Sequence, residues 1–236
     1  MLEINKVHLW DCLELMKQIP DWSIDAIITD PPYEVSVNSW WTVNNIKKLN
    51  KSLNEWIVKA NIVSWYDYDW VFEQFDRLQK NINIYIFCWK KQIMRYMERY
   101  VTNKKCTFDI LFRHKNNALP TYFNKYLTDC EYLLHFRKWA SCHPKSYEDA
   151  KTVYLWSINH KDKKLYGHPT IKPLDLIEKI IRNSTNEWDL VLDPFMWSWT
   201  TAVACKNMNR NFVWMEISQE YVNTANNRLH NSISLF

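Results

Sequence analysis

At 236 residues, with 47% hydrophobic and 24% charged side chains, the chain is long enough to bury a full core and has the balance of a globular protein, which excludes a disordered or fibrous chain. The net charge is a modest +4, and no apolar run approaches the length needed to cross a membrane. Six scattered cysteines (Cys12, Cys88, Cys106, Cys130, Cys142, Cys205) form no C-x-x-C pair, so zinc-type spacing is excluded and reduced thiols in a cytoplasmic protein are expected.

In chain order, residues 4 to 9 predict a short strand. Asp11 to Ile19 carries apolar residues at helical spacing (Cys12, Leu15, Met16, Ile19), and Pro20-Asp21 closes that helix. Then comes Ile24 to Tyr33, read Ile-Asp-Ala-Ile-Ile-Thr-Asp-Pro-Pro-Tyr. Ala26 to Ile28 reads as a buried parallel strand with Asp30 at its carboxyl end, where ligands bind in open α/β sheets. Pro31 and Pro32 fix φ and remove two N–H donors, so the turn offers carbonyls beside the Tyr33 ring. Asp30, the Pro31 carbonyl and Tyr33 make an acceptor pair next to a stacking surface, suited to an amino group on a planar base. The alternative is a proline-rich turn after a core strand.

Residues 34 to 66 are polar and weakly periodic, which predicts a lid loop over Asp30 with partial helix from Leu53 to Ala60. Tyr68 to Lys80 predicts a helix with Val71, Phe72, Phe75 and Leu78 on one face; Ile82 to Cys88 predicts a strand and Lys91 to Val101 another helix. Strands follow at Thr107 to Phe112 and Glu131 to Phe136, separated by a polar, basic and aromatic stretch from Arg113 to Tyr122. From Arg137 to Tyr166 no periodicity holds, and a loop-rich insert is expected rather than core. Leu174 to Ile181 predicts a helix, Asp189 to Leu192 a strand ending at Asp193, Thr200 to Asn207 a helix, Asn211 to Met215 a strand ending at Glu216, and Glu220 to His230 a last helix. Strand–helix–strand with acids at the strand ends is a Rossmann-like layout.

Charge and glycine usage are both uneven. Residues 77 to 172 hold 19 Lys/Arg against 7 Asp/Glu, which points either to a face that meets phosphates or to solvated helix faces. Glycine occurs once, where average usage of about 7% predicts roughly 16, and tryptophan occurs 14 times.

Asp193-Pro-Phe-Met-Trp-Ser-Trp-Thr-Thr201, taken with the Asp-Pro-Pro-Tyr turn, resembles the β-class of S-adenosylmethionine-dependent DNA amino-methyltransferases, most closely the adenine-N6 enzymes. Asp11-Cys12-Leu13-Glu14, His168-Pro-Thr-Ile-Lys-Pro173, Asn211-Phe-Val-Trp-Met-Glu216 and Tyr221 extend the resemblance over almost the whole chain. Each piece alone is weak, but in this order and spacing they are specific.

The resemblance implies a Rossmann-like α/β methyltransferase sheet flanked by helices, with circularly permuted motif order. Residues 1–112 would form the catalytic half with the turn and lid, 113–166 a small basic target-recognition insert, and 167–236 the cofactor-binding half of the same domain. Asp30, Pro31, Pro32 and Tyr33 would act on a flipped adenine. The cofactor, S-adenosylmethionine, would be held by Asp11, Cys12, His168, Thr170, Lys172, Asp193, Phe195, Trp197, Ser198, Trp199, Thr200, Thr201 and Glu216. Helix capping is the alternative role for Asp193 and Glu216.

Double-stranded DNA would meet Arg113, Lys115, Asn116, Asn117, Lys125, Arg137 and Lys138. No metal and no membrane is implied. A homodimer and a cognate restriction endonuclease remain open as partners in a restriction-modification setting, for a cytoplasmic protein of bacterial or phage origin. Cytosine-N4 methylation is the nearest alternative activity.

Trp197 and Trp199 stand where that family has glycine, as do Trp10, Trp188, Trp214 and, by local context, Trp22, Trp65 and Trp139; Trp56, Trp70 and Trp89 sit in apolar segments as ordinary tryptophans. Either the scaffold has lost its cofactor and survives as a catalytically dead DNA-binding protein, or UGA codons that mean glycine in the source were read as tryptophan. Only glycines are altered while the polar motif residues remain, which favours the codon reading.

Overall fold

A computed structural model describes residues 3–9, 11–32, 67–116, 118, 126–156, 172–195, 200–216 and 222. Its elements are β1 (Lys6–Leu9), α1 (Cys12–Met16), β2 (Ala26–Thr29), α2 (Tyr68–Leu78), β3 (Ile82–Cys88) and α3 (Ile93–Met97), which continues as a π-helical turn over Glu98–Asn103. They continue with β4 (Thr107–Lys115), β5 (Cys130–Lys138), α4 (Tyr147–Ala150), β6 (Val153–Trp156), α5 (Leu174–Ser184), β7 (Leu190–Asp193), α6 (Thr200–Asn207) and β8 (Asn211–Glu216). The expected lid over 34–66, with its partial helix, and the last helix from Glu220 lie outside the described residues, Val222 excepted.

The strands form one sheet in the order β1-β8-β7-β2-β3-β5-β4-β6. From β1 to β3 neighbours run parallel; β5 is antiparallel to both β3 and β4, and β6 is parallel to β4. The chain passes from β7 to β8 on one side and from β2 to β3 on the other. The order therefore reverses between β7 and β2, the switch point outside whose strand ends α/β sheets bind ligands.

Period-two alternation divides the core between two faces. Ile27, Ile84, Ile86, Leu134, Leu192 and Val213 pack under α1 and α2 through Leu15, Met16, Val71, Phe72, Phe75 and Leu78. Ala26, Ile28, Phe87, Val191, Phe212 and Trp214 pack under α5 and α6 through Leu176, Ile177, Ile180, Ala202 and Cys205. A parallel sheet covered on both faces needs strands buried on both sides, which β2 and β3 are along their whole length, with Thr29 and Asn83 their only polar residues. In α2 the apolar spacing of 68, 71, 72, 75 and 78 makes one buried stripe, and Asp67 caps it by accepting from the Trp70 N–H.

One expectation is corrected. In the described part of the stretch from Arg137 to Tyr166, expected to be a loop-rich insert rather than core, the end of β5 and the edge strand β6 join this same sheet, with α4 between them. Strands β4 and β5 also run longer than expected, because the polar residues at one end bond across them: Arg113 to Glu131 and His114 to Asp129.

The tryptophans are uneven in their comfort. Trp22, Trp139 and Trp188 take φ of 58°, 63° and 71°, the left-handed region that glycine enters freely and a bulky side chain does not. All three are exposed. Trp214 is fully buried in β8, stacked on Phe212 at 3.8 Å, and its indole N–H has no acceptor among the described residues. A buried indole ordinarily finds one. Trp70 and Trp89 show neither feature. Trp10, Trp56, Trp65, Trp197 and Trp199 lie outside the described residues.

Candidate active site

The carboxyl ends of β2 and β7 adjoin, and they are bonded to each other. Thr29, the last residue of β2, donates its hydroxyl to Asp193 Oδ1 at 3.0 Å. Thr201, in the first turn of α6, donates to Asp193 Oδ2 at 3.0 Å, and the Phe195 N–H reaches Oδ1 at 3.2 Å. Asp193 is buried, and burial pushes its carboxyl up to about 7 against the lowering effect of these donors; the nearby Asp30 charge adds to the rise. Asp193 thus knots the two turns together. Thr200 donates to the Lys172 carbonyl at 3.2 Å, which ties the segment before α5 into the same knot.

Asp30 follows β2 directly, and Pro31 and Pro32 behind it are buried. Gln92, before α3, donates to the Pro32 carbonyl at 3.2 Å and to the Tyr68 hydroxyl at 2.8 Å, while its own carbonyl accepts from the Trp89 N–H. The Pro-Pro turn is therefore held by the segment between β3 and α3. The Lys172 ammonium lies 2.8 Å from Asp30 Oδ2 and 3.7 Å from Glu131 Oε2. Glu131, at the start of β5, also pairs with Arg113 and Lys115 of β4. Burial acts to raise the Glu131 carboxyl, but Lys172, Arg113 and Lys115 outweigh it and hold it well below the usual carboxylate range.

Along the same edge of the sheet, Asp11 stands after β1 and Glu216 ends β8. Asp11 caps α1, accepting from the Leu13 N–H at 2.8 Å. The capping role considered for Asp193 and Glu216 is thus filled, in one described instance, by a different strand-end acid. Burial pushes the Cys12 thiol up to about 12, with Asp11 adding to it, and burial with the Asp30 charge does the same for Cys88. Both stay neutral thiols, which are poor nucleophiles.

Of the residues expected at the chemistry and the cofactor, Asp30, Pro31, Pro32, Lys172, Asp193, Phe195, Thr200, Thr201, Asp11, Cys12 and Glu216 fall at this edge of the sheet. Tyr33, His168, Thr170, Trp197, Ser198 and Trp199 lie outside the described residues, as do Asn117 and Lys125 of the expected DNA-binding set. Arg113 is buried and pairs with Glu131. Lys115 shares that carboxylate; Arg137 pairs with Asp109, and Lys138 donates to the Lys104 carbonyl. Asn116 is exposed. Sequence reasoning missed Gln92 and Glu131, whose partners are remote in sequence.

Residues 24–227 match the DNA methylase family of N6 and N4 enzymes. The chain is 30% identical to the type II methyltransferase M1.MboII of Moraxella bovis over 96% of each chain. It is also 30% identical to the type II methyltransferase M2.MboI of the same organism, over 95% of this chain and 87% of that one. Among solved structures, the M1.HpyAVI complex with S-adenosylmethionine superposes with a TM-score of 0.61 at 32% identity, covering 94% of this chain and 98% of that one. The cytosine-N4-specific PvuII DNA methyltransferase shares the fold, with a TM-score of 0.65 at 19% identity over 94% of this chain and 85% of that one.

Proposed function

The chain belongs to the DNA methylase family of N6 and N4 amino-methyltransferases, and we propose that within it this protein moves a methyl group from S-adenosylmethionine to N6 of an adenine in double-stranded DNA. The observation that carries this reading is the junction at the switch point, where Asp30 and Asp193 end neighbouring strands and Thr29 bonds one turn to the other. A site for a base and a site for a methyl donor then share one crevice.

The donor set along that edge fits S-adenosylmethionine. Asp11 would accept from its adenine amino group, Glu216 from its ribose hydroxyls, and the turn from Asp193 through Ser198 to Thr201 would border its methionine part, with Phe195, His168 and Thr170 beside it. Bound there, the cofactor supplies an electrophilic methyl on a sulfonium. The remaining work belongs to the chain. The N6 amine is unreachable in a stacked duplex, so the base must be flipped out, with Tyr33 as its stacking surface. The Asp30 carboxylate and the Pro31 carbonyl would accept hydrogen bonds from the two N6–H groups and draw the nitrogen toward a tetrahedral shape, its lone pair along the line of transfer. Nitrogen would gain one C–N bond as the sulfur–methyl bond breaks, that bond's electron pair staying on the departing thioether. It would give up one proton to solvent by way of the Asp30 carboxylate. Displacement at a methyl carbon is governed by alignment and electrostatics, which these fixed acceptors provide.

Aspartate at position 30 favours adenine, since cytosine-N4 enzymes more often carry serine there. The other reading, a DNA-binding protein without activity, rests on Trp197 and Trp199 being the native residues. A cognate restriction endonuclease and a homodimeric state are carried forward with the type II reading as proposals. The test is transfer itself. The full-length chain, as its native host translates it, is expected to pass tritiated methyl groups from S-adenosylmethionine to long unmethylated duplex DNA. Tight DNA binding with no label transferred would select the inactive reading.

A further inference from the structure

Asp30 stands within a buried chain of charges. The Lys172 ammonium, 2.8 Å from Asp30 Oδ2 and 3.7 Å from Glu131 Oε2, has a side chain only 5% exposed. It also lies over the Phe87 ring, 4.5 Å from the centroid. Behind it, Glu131 Oε2 meets Arg113 Nη1 at 2.5 Å and Glu131 Oε1 meets Lys115 Nζ at 2.6 Å. Four separate pieces of chain contribute: the turn after β2, the segment before α5, and strands β5 and β4.

Five charges gathered in a half-dry site cost desolvation free energy, and apolar residues of similar volume would often be no less stable. Such a cluster is better explained by fixing a geometry than by stabilising the fold. The carboxylate of Asp30 can rotate about its Cβ–Cγ bond. An ammonium held on one oxygen stops that rotation and sets the angle at which the second oxygen meets an amine. The ammonium is itself fixed, because Glu131 draws it from the other side and the two β4 cations hold Glu131.

We propose that Lys172 is a positioning residue for the Asp30 carboxylate, and that Glu131, held by Arg113 and Lys115, sets where Lys172 stands. This rests on the reading of Asp30 as the acceptor of the N6 protons. It moves Lys172 from the cofactor to the catalytic carboxylate, and Arg113 from the DNA to the third layer of the site. Misplacing a reacting group by about 1 Å can cost on the order of a hundredfold in rate.

The test compares Lys172→Met, Lys172→Arg, Glu131→Gln and Asp30→Ala in the full-length chain as its native host translates it. Turnover at saturating cofactor and DNA is measured together with S-adenosylmethionine affinity by calorimetry without DNA. Lys172→Met is expected to lower kcat by about 10- to 100-fold while cofactor affinity stays within about threefold of the parent. Lys172→Arg, which keeps the charge, is expected to recover most of that loss. Glu131→Gln is expected to give a smaller fall in kcat, again at unchanged cofactor affinity.

An unchanged kcat in Lys172→Met would overturn the proposal. So would a collapse of cofactor affinity with kcat intact, which would return Lys172 to the cofactor. Should Lys172→Met fail to fold, Glu131→Gln decides, and an unchanged kcat there overturns the proposal too. Near-parental turnover in Asp30→Ala would instead overturn the reading of Asp30, and the Lys172 proposal with it. Loss in Asp30→Ala beside no loss in Lys172→Met overturns the positioning proposal alone.

Discussion

Replacing Asp30 with alanine is expected to lower the rate of methyl transfer at least about a hundredfold, the scale on which removal of one preorganised electrostatic group acts. The carboxylate sits after β2 at the switch point, and its loss removes one of the two acceptors for the N6 protons. Cofactor affinity is expected to change much less, because the acids assigned to the cofactor stand at the ends of β7, β8 and β1. The fold is expected to survive, since Lys172 retains Glu131 at 3.7 Å and Asp193 keeps its bonds to Thr29 and Thr201. Single-turnover transfer, read beside calorimetric cofactor binding and a thermal melt, checks all three. Near-normal transfer would remove Asp30 from the chemistry.

The second large effect concerns the tryptophans. With tryptophan at 197 and 199, in the turn assigned to the methionine part of the cofactor, S-adenosylmethionine is expected to bind poorly or not at all. With glycine at 10, 197, 199 and 214 it is expected to bind and to be turned over. The described residues supply an independent check on stability. Trp22, Trp139 and Trp188 are exposed and left-handed, a conformation that costs an L-residue roughly 1–2 kcal/mol. Changing each to glycine is therefore expected to raise stability, by about 1 kcal/mol per site, where large-to-small changes usually lower it. Denaturant melts of the three single variants measure this, and a fall in stability at all three would contradict the glycine assignment. Mass spectrometry of the native protein reads the residues directly: the peptide spanning 193 to 201 is expected to carry glycine at 197 and 199.

The parts of this fold legible in the sequence are those where one physical signal dominates. Ile82–Cys88 is buried along its whole length, and its β-branched and aromatic residues at alternate positions mark it as a strand. The 3.6-residue stripe of α2 is equally plain. Strand β6 was missed because it is an edge strand of only four residues, with Val153 and Leu155 exposed, inside a stretch otherwise rich in basic and turn-forming residues. The basic middle of the chain is less legible from composition. The charge count allowed either a phosphate-facing surface or solvated helix faces, and within that region Arg113, Lys115, Arg137, Arg99 and Lys104 are each paired with a carboxylate of this chain. A charge count cannot tell an internal pair from a solvated face.

The site followed the same division. Asp30 and Asp193 could be read because an acid at the end of a buried strand is a local pattern. The contacts that fix them are not local: Thr29 reaches Asp193 across 164 residues, and Gln92 reaches the Pro32 carbonyl across 60. The pairing of Lys172 with Asp30 likewise depends on the order of strands in the sheet, which brings the segment before α5 over the end of β2. Side-chain identity announces such residues only once the topology is known.

The central claim, transfer of a methyl group to N6 of adenine, is tested most directly on the product. Unmethylated duplex DNA is treated with the full-length chain, as its native host translates it, and S-adenosylmethionine. The DNA is then digested to nucleosides and separated by mass. N6-methyldeoxyadenosine is expected as the only new nucleoside, absent when Asp30→Ala replaces the parent. The appearance of N4-methyldeoxycytidine in its place, or of no methylated nucleoside, would contradict the claim.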